Sequence, residues 1–394
     1  MLLSLHEPPQ ATPKVCALFA LGFRPFYLLA SVFAALSVPL WVLQYSGALG
    51  HVYLAGPVWH AHEMLFGFTL AVIVGFLFTA GQNWTGLPTP TGWRLGALAA
   101  LWVLARILVL TPYAMAAAAA NVAFPLAAAL ALALPFAKAG NRRNYFFVGL
   151  LGLLAGAAGF VHLTRMGMVA MSGGLGIQLA LDVVLFILAV MGGRVIPMFT
   201  NNGAPGAGAA RHPWVEKASL GGVLALLAAD AMGLQGGFMA ALAAAAGTAH
   251  AWRWALWRPW KTLRLPLLWV LHLGYLWVPV HLGLRCLAEM GWVMPSLATH
   301  ALTVGAIGGL VIGMMTRTAR GHTGRPLRAD RYETACYLLI ALAAAVRVAL
   351  PLAAPGQAVH AALASALLWS AGFGLYAVRY WPVLSRSRVD GRPG

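Results

Sequence analysis

Apolar runs long enough to cross a bilayer, about 20 residues each, recur from one end of this chain to the other. A backbone in hydrocarbon must satisfy its own hydrogen bonds, so such a pattern folds as a bundle of helices. Apolar residues make up 61% of the 394 positions and charged ones only 9%. Soluble domains carry about 25% charged residues, so the composition belongs to a bilayer. Breaks at polar residues, proline and glycine divide the chain into twelve predicted spans: 22–44, 59–80, 93–111, 114–137, 145–166, 174–197, 214–233, 236–257, 265–288, 296–317, 331–351 and 357–380. The expected fold is all-α, a polytopic membrane protein of about twelve transmembrane helices, with residues 1–394 forming a single integral-membrane bundle. Met1–Pro13 is polar and Pro-rich and does not read as a cleavable signal.

The charge pattern supplies an orientation. Loops 45–58, 112–113, 167–173, 234–235, 289–295 and 352–356 contain no Lys or Arg. Between them fall Lys138, Arg142 and Arg143, then Arg211 and Lys217, then Arg258, Lys261 and Arg264, then Arg320, Arg325, Arg328 and Arg331, with Arg386, Arg388 and Arg392 in the tail. Basic residues stay on the cytoplasmic side, which places both termini there. The net charge of +17 is therefore a topology signal and not a nucleic-acid-binding surface. Cys16, Cys286 and Cys336 are far apart and form neither CxxC nor CxxCH, so the sequence implies no disulfide framework and no covalently attached haem. In the tenth span Gly305, Gly309 and Gly313 recur every four residues and offer a smooth face to another helix.

Ionisable side chains are costly in lipid and mark candidate sites. The stretch PVWHAHEMLFGF (57–68) places His60, His62 and Glu63 at the outer mouth of the second span. His162, His281, His300 and His360 also fall in the outer half, whereas His250, His272 and His322 lie towards the inner side. Neutral imidazole is the usual ligand for haem and for many metals. For a lone histidine at a helix end, such as His51 or His360, the simpler reading is an interfacial group bonded to water. Residues two apart on a helix point about 200° from each other, so His60 and His62 are expected to serve different sites. HAHEM is not HExxH, which excludes a zinc-protease motif.

Asp182 lies in the body of the sixth span with Gln178 one turn away. It reads as a proton carrier or as half of an ion pair, with Arg106, Arg165 and Arg347 as expected partners, while Asp230, at a helix end, calls for no special role. Met166, Met168 and Met171, and in another loop Met290 and Met294, bring thioethers that suit Cu(I) but are also ordinary in membrane helices. The inner segments 192–203 and 313–326 carry Arg194, Arg317 and Arg320, which suit haem propionates or anionic lipid.

ALGFRPFYLLA (20–30), WHAHEMLFGF (59–68), GRVIPMFTNN (193–202), LLWVLHLGYLWVP (267–279) and the segment from His300 to Leu327 together resemble the NnrS family across nearly the whole chain. The resemblance implies a multi-pass protein of the bacterial inner membrane, containing haem b (one or two) with copper as a further metal, that acts in nitric oxide metabolism. Carried over by motif, His60, His62 and Glu63, then His272, then His300 and His322 are the expected site residues, with Arg24, Arg194 and Asn201 as matching polar positions.

The expected function is binding of nitric oxide and its reduction to N2O. His60, His62, His272, His300, His322, Arg194 and Arg317 would hold the cofactor, and His60, His62, His162, His272 and His300 are the metal ligands to test. Glu63 and Asp182 are the expected proton donors. Electrons would come from a donor such as quinol or a cytochrome. Two alternatives stand beside this: a non-catalytic haem or copper protein that binds or senses NO, and a transporter, since twelve spans with both termini inside is a common transporter plan.

Overall fold

The computed structural model describes residues 17–45, 53–170 and 173–391; Cys16, His51 and Met171 lie outside them. Twelve long helices account for these residues: α1 Phe23–Tyr45, α2 Gly56–Thr85, α3 Gly92–Leu108, α4 Ala114–Lys138, α5 Phe146–Arg165, α6 Gly173–Gly203, α7 Pro213–Ala231, α8 Gly237–Leu256, α9 Pro266–Glu289, α10 Pro295–His322, α11 Arg331–Ala353 and α12 Ala358–Ser385. No strand occurs among the described residues. Each helix corresponds to one predicted span. The protein is an all-α, multi-pass membrane protein.

Nine of the twelve are long and apolar enough to cross a membrane. The other three, α3, α7 and α8, fall short of that threshold. α3 has only 17 residues. α7 opens with Glu216 and Lys217, and α8 ends with His250, Trp252 and Arg253, which dilute their apolar character.

Prolines start several helices where a missing N–H costs nothing, at Pro213, Pro266 and Pro295. Asp330 caps α11 by accepting from the Tyr332 and Glu333 amides, while the Glu333 carboxylate accepts from the Asp330 amide. This is a capping box.

Each helix packs on the next in sequence, and α12 returns against α1. α2 is the innermost, with 83% of its apolar stretch buried against 39% in α11 and α12. The glycine stripe of α10 does what its spacing predicts. A Cβ on Gly309 would lie 2.9 Å from the Gly274 Cα of α9, and one on Gly305 would collide with the Trp277 ring. The two backbones touch there because neither residue has a side chain.

Two helices depart from α geometry. Glu63–Thr69 in α2 and Ala301–Gly308 in α10 are π-helical. Within the first, the Thr69 hydroxyl donates to the Met64 carbonyl at 2.7 Å, and Trp102 Nε1–H donates to the Gly67 carbonyl at 3.0 Å. Neighbouring groups thus bond the widened turns. Such turns concentrate at functional sites. Here each begins directly after a histidine of the conspicuous motifs.

Candidate functional site

His60 and His62 face different surroundings, as helical geometry requires. His60 points into a cavity of about 390 Å³ in the end of the bundle that lacks Lys and Arg loops. His300 of α10 and Arg347 of α11 line the same cavity, and Trp41, Met64, Phe68 and Trp369 supply apolar walls. The His300 ring donates through Nδ1 to the Ser296 carbonyl at 2.6 Å, leaving Nε2 as acceptor 3.3 Å from the Arg347 guanidinium. His60 Nδ1 is buried with no hydrogen-bond partner. A buried polar atom left unpaired costs about 1–3 kcal/mol, so a hydrogen-bonding or coordinating group in the cavity would be held there. The volume lies within the range of small-molecule and cofactor sites.

His62 turns the other way. Its Nδ1 lies 2.8 Å from Glu63 Oε1, which also accepts from Arg106 Nη1 at 2.8 Å. The other amino group of Arg106 donates to Asn121 Oδ1, and Asn121 Nδ2 is anchored on the Ala117 carbonyl. Gly67 makes room for this, since a Cβ there would sit 2.8 Å from Arg106 Nη1. His162 of α5 meets His62 edge to face with 4.9 Å between ring centroids. Tyr53 stacks on His162, and its hydroxyl lies 3.2 Å from both His162 Nδ1 and the His162 carbonyl.

One proton assignment satisfies all these contacts. Each Nδ1–H donates, to Glu63 and to Tyr53 respectively, and the Tyr53 hydroxyl donates to the carbonyl. Both Nε2 atoms then carry lone pairs, and both are buried without a partner. An oxygen fixing Nδ1–H while Nε2 stays free is how proteins prepare a histidine for a metal. No group of three or more His, Cys, Asp or Glu among the described residues surrounds a common metal position. His62 and His162 bring two imidazole rings together and no third such side chain.

His250 provides the contrast. Its Nδ1 bonds the Tyr275 hydroxyl at 2.8 Å and its Nε2 the Ser219 carbonyl at 3.2 Å. Arg253 beside it holds Glu216 through two bonds of 2.6 and 2.8 Å and also reaches the Ala189 carbonyl and Tyr275. Both ring nitrogens are satisfied, so this cluster braces α6, α7, α8 and α9.

The remaining expected residues disperse. His272 Nε2 bonds the Thr200 hydroxyl at 2.8 Å. His322 lies against Phe23. Arg194 donates to Asn144 and covers Phe146 and Phe147, and Arg317 lies 3.8 Å over the Phe199 ring. None of these four lines the His60 cavity. Arg24 is buried and donates to the Leu384 and Arg386 carbonyls. Asn201 bonds the Ala209 amide and carbonyl, pinning the turn after α6. Met168, Met290 and Met294 are exposed.

Asp182 has a different partner from those expected. Arg285 of α9 donates to it at 3.3 Å and holds Asp230 at 2.5 and 2.6 Å. Arg106 is committed to Glu63 and Arg347 to His300. Asp230 thus takes part in a buried network, contrary to the reading of it as an ordinary helix end. Gln178 links both carboxylates, at 3.1 and 3.5 Å. Ile177 and Leu181, each one residue before Gln178 and Asp182 on α6, line the His60 cavity, whereas Gln178, Asp182, Asp230 and Arg285 do not.

No curated protein matches the chain. The sequence profile described as NnrS protein matches residues 17–388, almost the whole chain. The protein belongs to the NnrS family, a family of nitric-oxide-related membrane proteins.

Proposed function

We propose that the protein is a haem b-binding enzyme of the bacterial inner membrane that binds nitric oxide and reduces it to N2O. The observation carrying this is the pair of imidazole sites that α2 holds two residues apart. His60 opens with His300 onto a cofactor-sized apolar cavity, and His62, turned away from it, offers with His162 two free Nε2 atoms.

The residues fit a haem in the first site. His60 would supply an imidazole nitrogen, Arg347, aligned by His300, would supply the cation for a propionate, and Trp41, Met64, Phe68 and Trp369 would supply apolar walls. The Nε2 atoms of His62 and His162 would hold copper in the second, since imidazole is a suitable ligand for it. Bound there, these groups would supply the redox chemistry that NO reduction needs. The overall reaction joins two NO with two electrons and two protons to give N2O and water. NO partitions into lipid, so an intramembrane cavity needs no polar entrance. Glu63, one oxygen of which is buried without a partner, holds a proton-donating position beside His62. Asp182 would supply protons. A quinol or a cytochrome would supply the electrons.

The test is absorption spectroscopy of protein purified with ample haem, oxidised and then reduced with dithionite. His60→Ala and His300→Ala are expected to lose or shift the Soret band, whereas His272→Ala retains it. His62→Ala and His162→Ala should keep the haem but lose NO turnover with a competent reductant. Parent spectra and activity in His60→Ala, His300→Ala, His62→Ala and His162→Ala alike would overturn the assignment. A colourless parent protein would point to transport, and haem without turnover to binding or sensing.

A further inference from the structure

At the end of the bundle opposite the His60 cavity, a second and smaller cavity of about 220 Å³ opens between α10, α11 and α12. Arg320, Arg325, Arg379 and Arg386 line it, with Glu333 and Tyr380. Four guanidinium groups repel one another, and the carboxylates beside them offset only part of that charge.

The carboxylates nearby are already committed. Glu333 Oε1 accepts from Arg320 at 2.6 Å and from the Tyr380 hydroxyl at 2.5 Å, and its Oε2 accepts the Asp330 amide at 2.7 Å. Asp330 pairs with Arg379 at 2.9 Å. Arg325 and Arg386 have no carboxylate partner among the described residues. Arg325 Nη1 is moreover buried with no hydrogen-bond acceptor. Arg325 sits in the loop between α10 and α11. Burial holds its guanidinium below the ordinary value; Tyr380 opposes this, and the positive charges of Arg320, Arg379 and Arg386 lower it further.

We propose that this cavity binds a phosphate group, held by Arg325 and Arg386 as the two uncompensated cations and oriented by Arg320 and Arg379. Two leftover positive charges match a phosphate monoanion or dianion, and the guanidinium fork matches its oxygens two at a time. The cavity is smaller than the roughly 300 Å³ lower end of drug-sized sites, which excludes a porphyrin. Haem propionates from the other site are excluded by distance, because the 20 residues of α10 between His300 and Arg320 span about 30 Å. The phosphate comes from a lipid headgroup or from solution. Val378 and Trp381, 77% and 57% exposed on the α12 surface beside Arg379, give acyl chains a place to lie.

Thermal unfolding of the full chain in detergent and in nanodiscs tests this. In detergent, inorganic phosphate titrated against chloride at constant ionic strength is expected to raise the melting temperature if free phosphate is the ligand. Nanodiscs of phosphatidylglycerol are expected to raise it over phosphatidylcholine if the lipid is the ligand. In either arm Arg325→Gln combined with Arg386→Gln should weaken the apparent affinity about tenfold or more, as expected when charge-assisted hydrogen bonds are lost. Native mass spectrometry of the parent protein gives a reading that needs no variant, because retained phospholipid or phosphate should appear as a stoichiometric adduct. The proposal fails if neither phosphate nor anionic lipid stabilises the parent and no adduct survives. It fails equally if both stabilise parent and double variant alike.

Discussion

His62 and His162 meet edge to face across α2 and α5, 4.9 Å between centroids, each with its Nδ1 held by an oxygen and its Nε2 unpartnered. The arrangement depends on an ion pair one residue further along α2. Glu63 fixes the His62 ring, and Arg106 fixes Glu63.

Removing one member of that pair should therefore be costly. Glu63→Ala leaves the Arg106 cation buried with only Asn121 as a hydrogen-bond partner, and about 3–5 kcal/mol of stability should be lost. The double variant Glu63→Gln with Arg106→Gln should lose clearly less than the sum of the single changes. A thermal-unfolding cycle in detergent measures the difference; strict additivity would show that the two side chains do not depend on one another.

The Asp182, Arg285 and Asp230 network should respond unequally. Asp230 holds Arg285 by two bonds of 2.5 and 2.6 Å, whereas Asp182 reaches it at 3.3 Å. Asp182→Asn should thus cost only about 1 kcal/mol, one modest hydrogen bond. Arg285→Gln strands two carboxylates and should cost about 3–5 kcal/mol. If Asp182→Asn also slows NO turnover while leaving the melting temperature nearly unchanged, its role is in proton supply. Equal destabilisation by both changes would mean that Asp182 carries as much of the network as Arg285 does.

Gly193 and Gly221 make a matched pair. A Cβ at Gly193 would collide with the Arg253 guanidinium, whose bonds to Glu216, Ala189 and Tyr275 tie four helices together. At Gly221 it would meet nothing within 4 Å. Gly193→Ala should lower the melting temperature strongly. Gly221→Ala should raise stability slightly, by up to about 1 kcal/mol, because alanine is the better helix former.

Much of the fold is legible in the chain because hydropathy and loop charge are local. All twelve helices stand where apolar runs and breaks place them, with ends displaced by a few residues: α2 continues to Thr85 and α6 to Gly203. The opposed faces of His60 and His62 also follow from helical geometry alone. The site's partners are another matter. Arg285 bonds Asp182 across 103 positions and Arg347 meets His300 across 47, and no pattern along the chain records such pairings. The π turns are equally hidden, since neighbouring helices supply part of what satisfies them. One signal was available for Arg285, which stands inside an apolar helix and so requires a counter-charge.

The α11 cap carries a pH dependence. Burial alone would push the Asp330 carboxyl up, but hydrogen bonds from Arg379 and from the Glu333 and Tyr332 amides outweigh it and hold the group below the ordinary carboxylate value. A carboxylate lowered in the folded state adds stability that is present above its unfolded value near 4. That stability is lost as pH falls through the lowered folded value. Asp330→Ala removes both the cap and the Arg379 pair and should cost about 1 kcal/mol at pH 7. The gap between parent and variant should narrow as the pH is taken from 6 towards 3, because protonation removes the same contacts from the parent. Melting curves of both proteins across that range measure it, and a gap that stays constant down to pH 3 would mean that the Asp330 charge contributes nothing to holding α11.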